Sequence, residues 1–210
     1  MRLILTGLDR NWSDGEEELV FLGEWTKLQD SKMHDWIGSA TVPYHWQDRD
    51  KLESDYKYLQ EFYERLLVLL SEKLNSHHDI DFPLRFWRII LGPWLLTYVA
   101  VVWDRFECVR LADQNFDIDH ILSFKEDLNC HPRDYEHAIA LFNDHSYNQS
   151  LITEIIDNSY KNIKIRRVAR FSEAAQASCG KKESLLRSVA VIFDKALSVI
   201  PNRIDTLFYH

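Results

Sequence analysis

Two short apolar runs open the chain. Arg2-Leu3-Ile4-Leu5-Thr6-Gly7 and Leu19-Val20-Phe21-Leu22-Gly23 do not alternate cleanly, and each ends at glycine. Such runs suit interior strands of a parallel sheet, buried on both faces, better than an antiparallel hairpin with one wet face. From Asp50 the period changes. Leu52, Tyr56, Leu59, Tyr63, Leu66, Leu70 and Leu74 recur at steps of three and four, which predicts a helix over about 50–75. Asp50 with Glu53 three residues on fits a variant of the capping box. Asn75-Ser76-His77-His78-Asp79 reads as a turn. Pro83 then suits the first turn of a second helix, over about 83–112, which Pro93 should break or kink. From Ile89 to Trp103 that helix carries no charge, which predicts a central, buried position. The run falls short of the roughly 20 apolar residues a membrane span needs.

Residues 113–130 are mixed in character and read as loop-rich. Pro132 opens a helix over about 132–144, and Asn148 caps another over about 150–161. Ile163 to Phe171 has the partial alternation of a strand, with the basic residues between Lys161 and Arg170 on its solvated face. Lys182 to Val199 is helical and stops before Pro201, and Ile204 to Tyr209 looks like the start of a strand. The pattern as a whole predicts a helix-rich α/β fold, a single domain over 1–210. A strand start that stops at His210 leads us to expect an arrangement incomplete at its C-terminal end.

Composition narrows the function. With 46% apolar and 28% charged residues but only 6 Gly and 5 Pro, the chain is a soluble globular protein and not a low-complexity one. A net charge of −8 disfavours nucleic acid as a partner, because that binding rests on basic surface. Cys108, Cys130 and Cys179 have no CxxC spacing and leave an odd count, which reads as free thiols in a reducing, cytoplasmic setting. His77-His78-Asp79-x-Asp81 has metal-ligand residue types without a zinc spacing, so no metal site is expected. The chain has no P-loop, GxGxxG or GxSxG, and no cofactor is expected. The apolar start ends at Thr6, too soon for a signal peptide.

All 7 Trp lie between Trp12 and Trp103, so candidate chemistry concentrates in that half. In Pro43-Tyr44-His45-Trp46-Gln47-Asp48-Arg49-Asp50, His45 is a candidate general base, because an ordinary imidazole accepts a proton near neutral pH. Arg49 has the donor fork that clamps a phosphate or carboxylate, and Tyr44 and Trp46 offer stacking surfaces for a sugar or base. The competing reading is a loop held by aromatic packing, with Asp48 and Asp50 capping the helix. Gly23-Glu24-Trp25 follows a strand. Gly23 there permits close approach by a ligand or helix, and Glu24 is a second acid/base candidate. A structural turn explains the motif as well. Arg85 and Arg88, three apart, share a helical face and suit a phosphate, although inter-helix ion pairs account for such patterns more often.

These same residues carry a resemblance. Phe21-Leu22-Gly23-Glu24-Trp25, Pro43-Tyr44-His45-Trp46 with Asp48-Arg49, Tyr56-x-Tyr58-Leu59, and Arg85-x-Trp87-Arg88-Ile89 with Gly92-Pro93-Trp94 resemble the N-terminal part of a transferase family. That family belongs to bacterial surface-carbohydrate (O-antigen) gene clusters. The likeness is strong to about residue 110 and weaker beyond, and Thr26 stands where the family pattern favours Cys. The resemblance implies one Rossmann-like half of a two-lobed (GT-B) glycosyltransferase. The other half, where such enzymes bind the nucleotide-sugar donor, would lie downstream.

Two functions follow as expectations. The first is glycosyl transfer from a nucleotide-sugar to a carbohydrate or lipid-linked acceptor. His45 or Glu24 would be the base, Arg49, Arg85 and Arg88 would meet charge, Asp48 would bind substrate, and Trp25, Tyr44 and Trp46 would line the sugar site. The second is a non-catalytic truncated or docking module that needs a partner chain. A peripheral contact with the inner face of the membrane is a third, weaker expectation, consistent with lipid-linked acceptors. Oligomeric state is not legible.

Overall fold

The computed structural model describes residues 1–8, 18–27, 39–124 and 132–168. The chain divides into two compact units, one of residues 1–42 with 109–210 and one of residues 43–108.

The first unit is built on five short strands: β1 (Arg2–Ile4), β2 (Leu19–Phe21), β3 (Ala40–Thr41), β4 (His120–Phe124) and β5 (Lys164–Val168). All pairings are parallel, in the order β3-β2-β1-β4-β5. This is a Rossmann-like order, in which the direction of winding reverses between β1 and β4. Leu3, Ile4, Leu5, Val20, Phe21, Leu22 and Ile121 are fully buried, as strands covered on both faces must be. Among the described strands β5 stands at one end of the order, and its Lys164, Arg166 and Arg167 are exposed.

β4 falls inside the segment read as loop-rich. Its sequence, His-Ile-Leu-Ser-Phe, is too short and mixed to announce a strand. Register with β1 (Arg2 to His120, Leu3 to Ile121) and with all five residues of β5 defines it. Two helices, α3 (Tyr135–Asn143) and α4 (His145–Ser159), lie between β4 and β5 in the chain. Asp134 caps α3 and Asp144 caps α4, each through its carboxylate. Asn148, expected as a cap, lies buried inside α4 and donates to the carbonyls of Phe142 and Asp144 at 2.8 Å. Asp144, four residues earlier, holds the cap position instead.

Gln149 on α4 joins the two strands that flank the reversal. It is buried, its Oε1 accepts from Thr6 Oγ1 at 2.8 Å, and its Nε2 donates to Leu122 O at 2.6 Å. Thr6 follows β1 and Leu122 lies in β4. Gln149→Ala removes both bonds from a dry site, so we expect a loss of about 1–3 kcal/mol in urea denaturation. A loss within a few tenths would mean the bridge contributes nothing net.

The second unit contains a helical hairpin. α1 (Arg49–His78) and α2 (Leu84–Asn115, whose last turns enter the first unit) run antiparallel. Trp87 Nε1 donates to Asn75 at 2.9 Å, Arg88 pairs with Glu64, and Tyr58 and Trp103 rings lie 5.0 Å apart. Gly92 sits so close to α1 that a Cβ there would stand 2.8 Å from the Tyr63 hydroxyl. The stretch read as a turn, Asn75 to Asp79, is mostly helix. α1 runs to His78 and ends on Asp79 in the left-handed region, φ 53°. Asn75 holds the link by bonding Phe82 N and O.

α2 passes through Pro93 without a break. Its apolar stretch is buried on one side only: Trp87, Leu91, Leu95, Val99, Val102 and Trp103 are inside, whereas Phe86, Ile89, Ile90 and Leu96 are exposed. By length and composition it would suffice to cross a membrane, but 39% of its most apolar window is buried inside the protein. On α1 the inner face is also rotated from the expected one. Leu59, Tyr63, Leu66, Leu70 and Leu74 are buried, but Leu52 and Tyr56 are exposed and Asp55 is buried in their place.

Candidate functional site

In the first unit, the chain leaves β2 at Phe21 and turns through Gly23 into a short 3-10 helix, Glu24–Lys27. Thr26 ties this turn down: its backbone N–H and its Oγ1 both donate to Gly23 O, at 3.1 and 2.7 Å. Thr26 is fully buried, and a hydroxyl is what makes the second bond. Gly23 does permit a close approach, and the group that approaches is the Trp25 indole. A Cβ on Gly23 would lie 2.5 Å from Trp25 Nε1. Glu24 points outward, with its side chain 78% exposed and 3.2 Å from Lys27 Nζ. The ammonium of Lys27 in turn lies over the Phe21 ring, 5.3 Å from its centroid. The result is a solvent-accessible carboxylate just past the carboxyl end of an interior parallel strand. That edge is where ligands of open α/β sheets bind.

The second unit begins at Pro43. Tyr44 leads into a 3-10 turn, His45–Gln47, and Asp48 caps α1 by accepting from Asp50 N at 2.9 Å and Lys51 N at 3.2 Å. Capping gives Asp48 a structural task. Arg49 is exposed on the first turn of α1.

His45 is buried, its side chain showing 0% exposure, and it faces carboxylates with both ring nitrogens. Nε2 lies 3.0 Å from Asp104 Oδ1, and Nδ1 lies 3.8 Å from Asp55 Oδ2. Nδ1 makes no hydrogen bond among the described residues. The Trp46 ring packs on His45 with centroids 4.5 Å apart, and Tyr44 meets it edge-on at 5.1 Å.

Around this histidine stands a cluster of buried charge. Asp55 Oδ2 accepts from Trp46 Nε1 at 2.9 Å, Trp103 Nε1 at 3.1 Å and Lys51 Nζ at 2.7 Å. Lys51 also reaches Glu107 Oε2 at 2.8 Å, and Arg105 pairs with Asp104 Oδ2. Burial by itself would raise the Asp55 carboxyl, but the bonds from Lys51, Trp103 and Trp46 outweigh it and hold the group below the usual range. Asp104 is likewise lowered: burial opposes, and the His45 bond and the Arg105 charge prevail. Burial, then the charge and hydrogen bond of Asp104, push the Tyr44 hydroxyl up.

Of the residues picked out by sequence, Tyr44, His45 and Trp46 therefore come together. Arg88 does not join Arg85 as an anion clamp, since its two terminal nitrogens bond the two Glu64 oxygens at 2.6 and 2.7 Å. Arg85 is exposed near the start of α2. Glu24 and Trp25 belong to the other unit. Sequence reasoning missed Lys51, Asp55, Glu107 and Cys108. The signals available were Lys51 four residues before Asp55 on one helix and Asp104 four before Cys108 on the other, both spacings that share a face.

A family model described as LIC12162 family transferase matches residues 1–209. No curated protein and no solved structure matches the chain.

Proposed function

We propose, from the premise that the chain belongs to the LIC12162 family of transferases, that the group it transfers is a sugar. The donor is a nucleotide-sugar and the acceptor a carbohydrate or lipid-linked hydroxyl, in surface-polysaccharide (O-antigen) biosynthesis. The chain acts as the N-terminal, acceptor-side lobe of a GT-B-type enzyme. The observation that carries this reading is Glu24, an exposed carboxylate past the end of β2 in a Rossmann-like parallel sheet.

Glu24 takes the proton of the acceptor hydroxyl as its oxygen bonds to the anomeric carbon, and the nucleotide leaves with the electrons of the broken C–O bond. In the second unit, taken by itself, exposed Arg49 and Arg85 offer guanidinium groups to an anion, and Tyr44 offers an exposed ring to a sugar face. His45 and Trp46 hold the turn that carries Tyr44. The exposed apolar side of α2 supports a site of action at the inner face of the membrane, where a lipid-linked acceptor resides.

The test is nucleotide release. The enzyme with its donor-binding lobe present is incubated with a panel of nucleotide-sugars, with and without a lipid-linked oligosaccharide acceptor. Acceptor-dependent release of a nucleoside phosphate is expected from one donor. Transfer from a non-sugar donor, with every nucleotide-sugar left intact, sinks the proposal.

A further inference from the structure

The second unit contains a donor set that the transferase reading does not use. His45, Asp104 and Cys108 are all buried, and each offers a ligand atom within 4.8 Å of the others. A nitrogen, a carboxylate oxygen and a sulfur together are the donor types of zinc. We infer that His45 Nε2, Asp104 and Cys108 Sγ form a binding site for one zinc-class divalent ion, which pins the His45–Gln47 turn to α2.

Three observations support it. The first is charge. The cluster holds three buried carboxylates, Asp55, Asp104 and Glu107, against two fixed cations, Lys51 and Arg105. A divalent ion adds a counter-charge at the Asp104 end of this cluster. The second is the outer ring of contacts. Ligating histidines usually donate the other ring N–H to a carboxylate, and ligating carboxylates are themselves hydrogen-bonded. Asp55 Oδ2 stands 3.8 Å from His45 Nδ1, the nitrogen that lacks a hydrogen bond, and Arg105 and Tyr44 engage Asp104. The third is selectivity between positions. His45, Asp55 and Glu107 also converge, but the Lys51 ammonium already bridges Asp55 and Glu107 at 2.7 and 2.8 Å. That leaves the Asp104–Cys108 side for the ion.

Burial, with Asp104 and Glu107 nearby, pushes the Cys108 thiol up to about 12, so the metal-free protein holds Cys108 as S–H. The ion replaces that thiol proton as a Zn–S bond forms, the Nε2–H proton that His45 donates to Asp104 passes to Nδ1 as Nε2 turns to the ion, and one H⁺ leaves to solvent.

The test uses the whole chain and does not depend on turnover. Protein loaded with zinc chloride and dialysed is expected to retain about one zinc per chain by elemental analysis. Cobalt-loaded protein is expected to show a sulfur-to-cobalt charge-transfer band. Cys108→Ser should abolish that band, while Cys130→Ser and Cys179→Ser keep it. X-ray absorption on the unmutated zinc protein guards against a variant that fails to fold, and should show one sulfur at about 2.3 Å with nitrogen or oxygen neighbours. No retained zinc, a band that survives in Cys108→Ser, or a sulfur-free shell each overturns the assignment.

Discussion

Asp55→Ala will destabilise the protein by about 3–5 kcal/mol, the range for breaking a buried charge pair by removing one partner. Asp55 is 7% exposed, and one of its oxygens accepts from two indoles and an ammonium. Alanine leaves Trp46, Trp103 and Lys51 without that acceptor in a dry interior. Domain stabilities run to about 5–15 kcal/mol, so the loss takes a large share. Asp55→Asn keeps an acceptor oxygen of the same size and should lose less, about 1–3 kcal/mol. Urea denaturation followed by tryptophan fluorescence measures both. Equal losses for the two variants would refute a hydrogen-bond origin and leave charge alone. The pH dependence has a definite sign. Asp55 is lowered in the folded state, so its stabilisation is fully present above the ordinary carboxylate pKa of about 4 and fades as pH falls through the lower folded value. Asp55→Ala should therefore be less acid-sensitive than the parent.

The largest kinetic effect is expected at Glu24. In the active enzyme, Glu24→Gln should lower kcat about 100-fold or more, the scale of a lost general base, with KM little changed. Its exposure and the solvent-screened nature of its ion pair with Lys27 mean that folding should be untouched, so an unshifted Tm accompanies the loss. Glu24→Asp should recover part of the rate. If kcat for Glu24→Gln matches the parent, another group takes the proton, and the carboxylate at the end of β2 has no catalytic role.

The two residues differ in how visible they were. Glu24 was legible because it follows a continuous apolar run that ends at Gly23, and the strand it leaves is interior. Asp55 was hidden by its own helix. The three- and four-residue spacing chose Leu52 and Tyr56 for the inner face, and apolarity was the only criterion available. The folded chain turns Asp55 inward because Lys51, Trp46 and Trp103 satisfy it there. Hydrophobic periodicity cannot register a polar group that is buried with its partners. The same limit applies to His45. An imidazole in an aromatic loop suggested a base in contact with substrate, whereas the structure encloses it between Asp104 and Asp55.

By itself the sequence determined what local interactions determine: the two parallel-type strands β1 and β2 and the two long helices; the capping box it placed on Asp50 and Glu53 falls inside α1, which Asp48 caps instead. Each rests on contacts within a few residues or on uniform burial along one run. The helix over 182–199 and the strand start at 204–209 lie outside the described residues. Only the tertiary structure decided the strand order, the existence of β4 and the membership of the charge cluster. β4 is a strand because β1 and β5 flank it. His45, Asp55 and Asp104 meet across as many as 59 positions of chain, on a turn and two helices. A charge is stable out of water only when its partners arrive with it, and that condition is set by packing between elements, which no spacing along one element records.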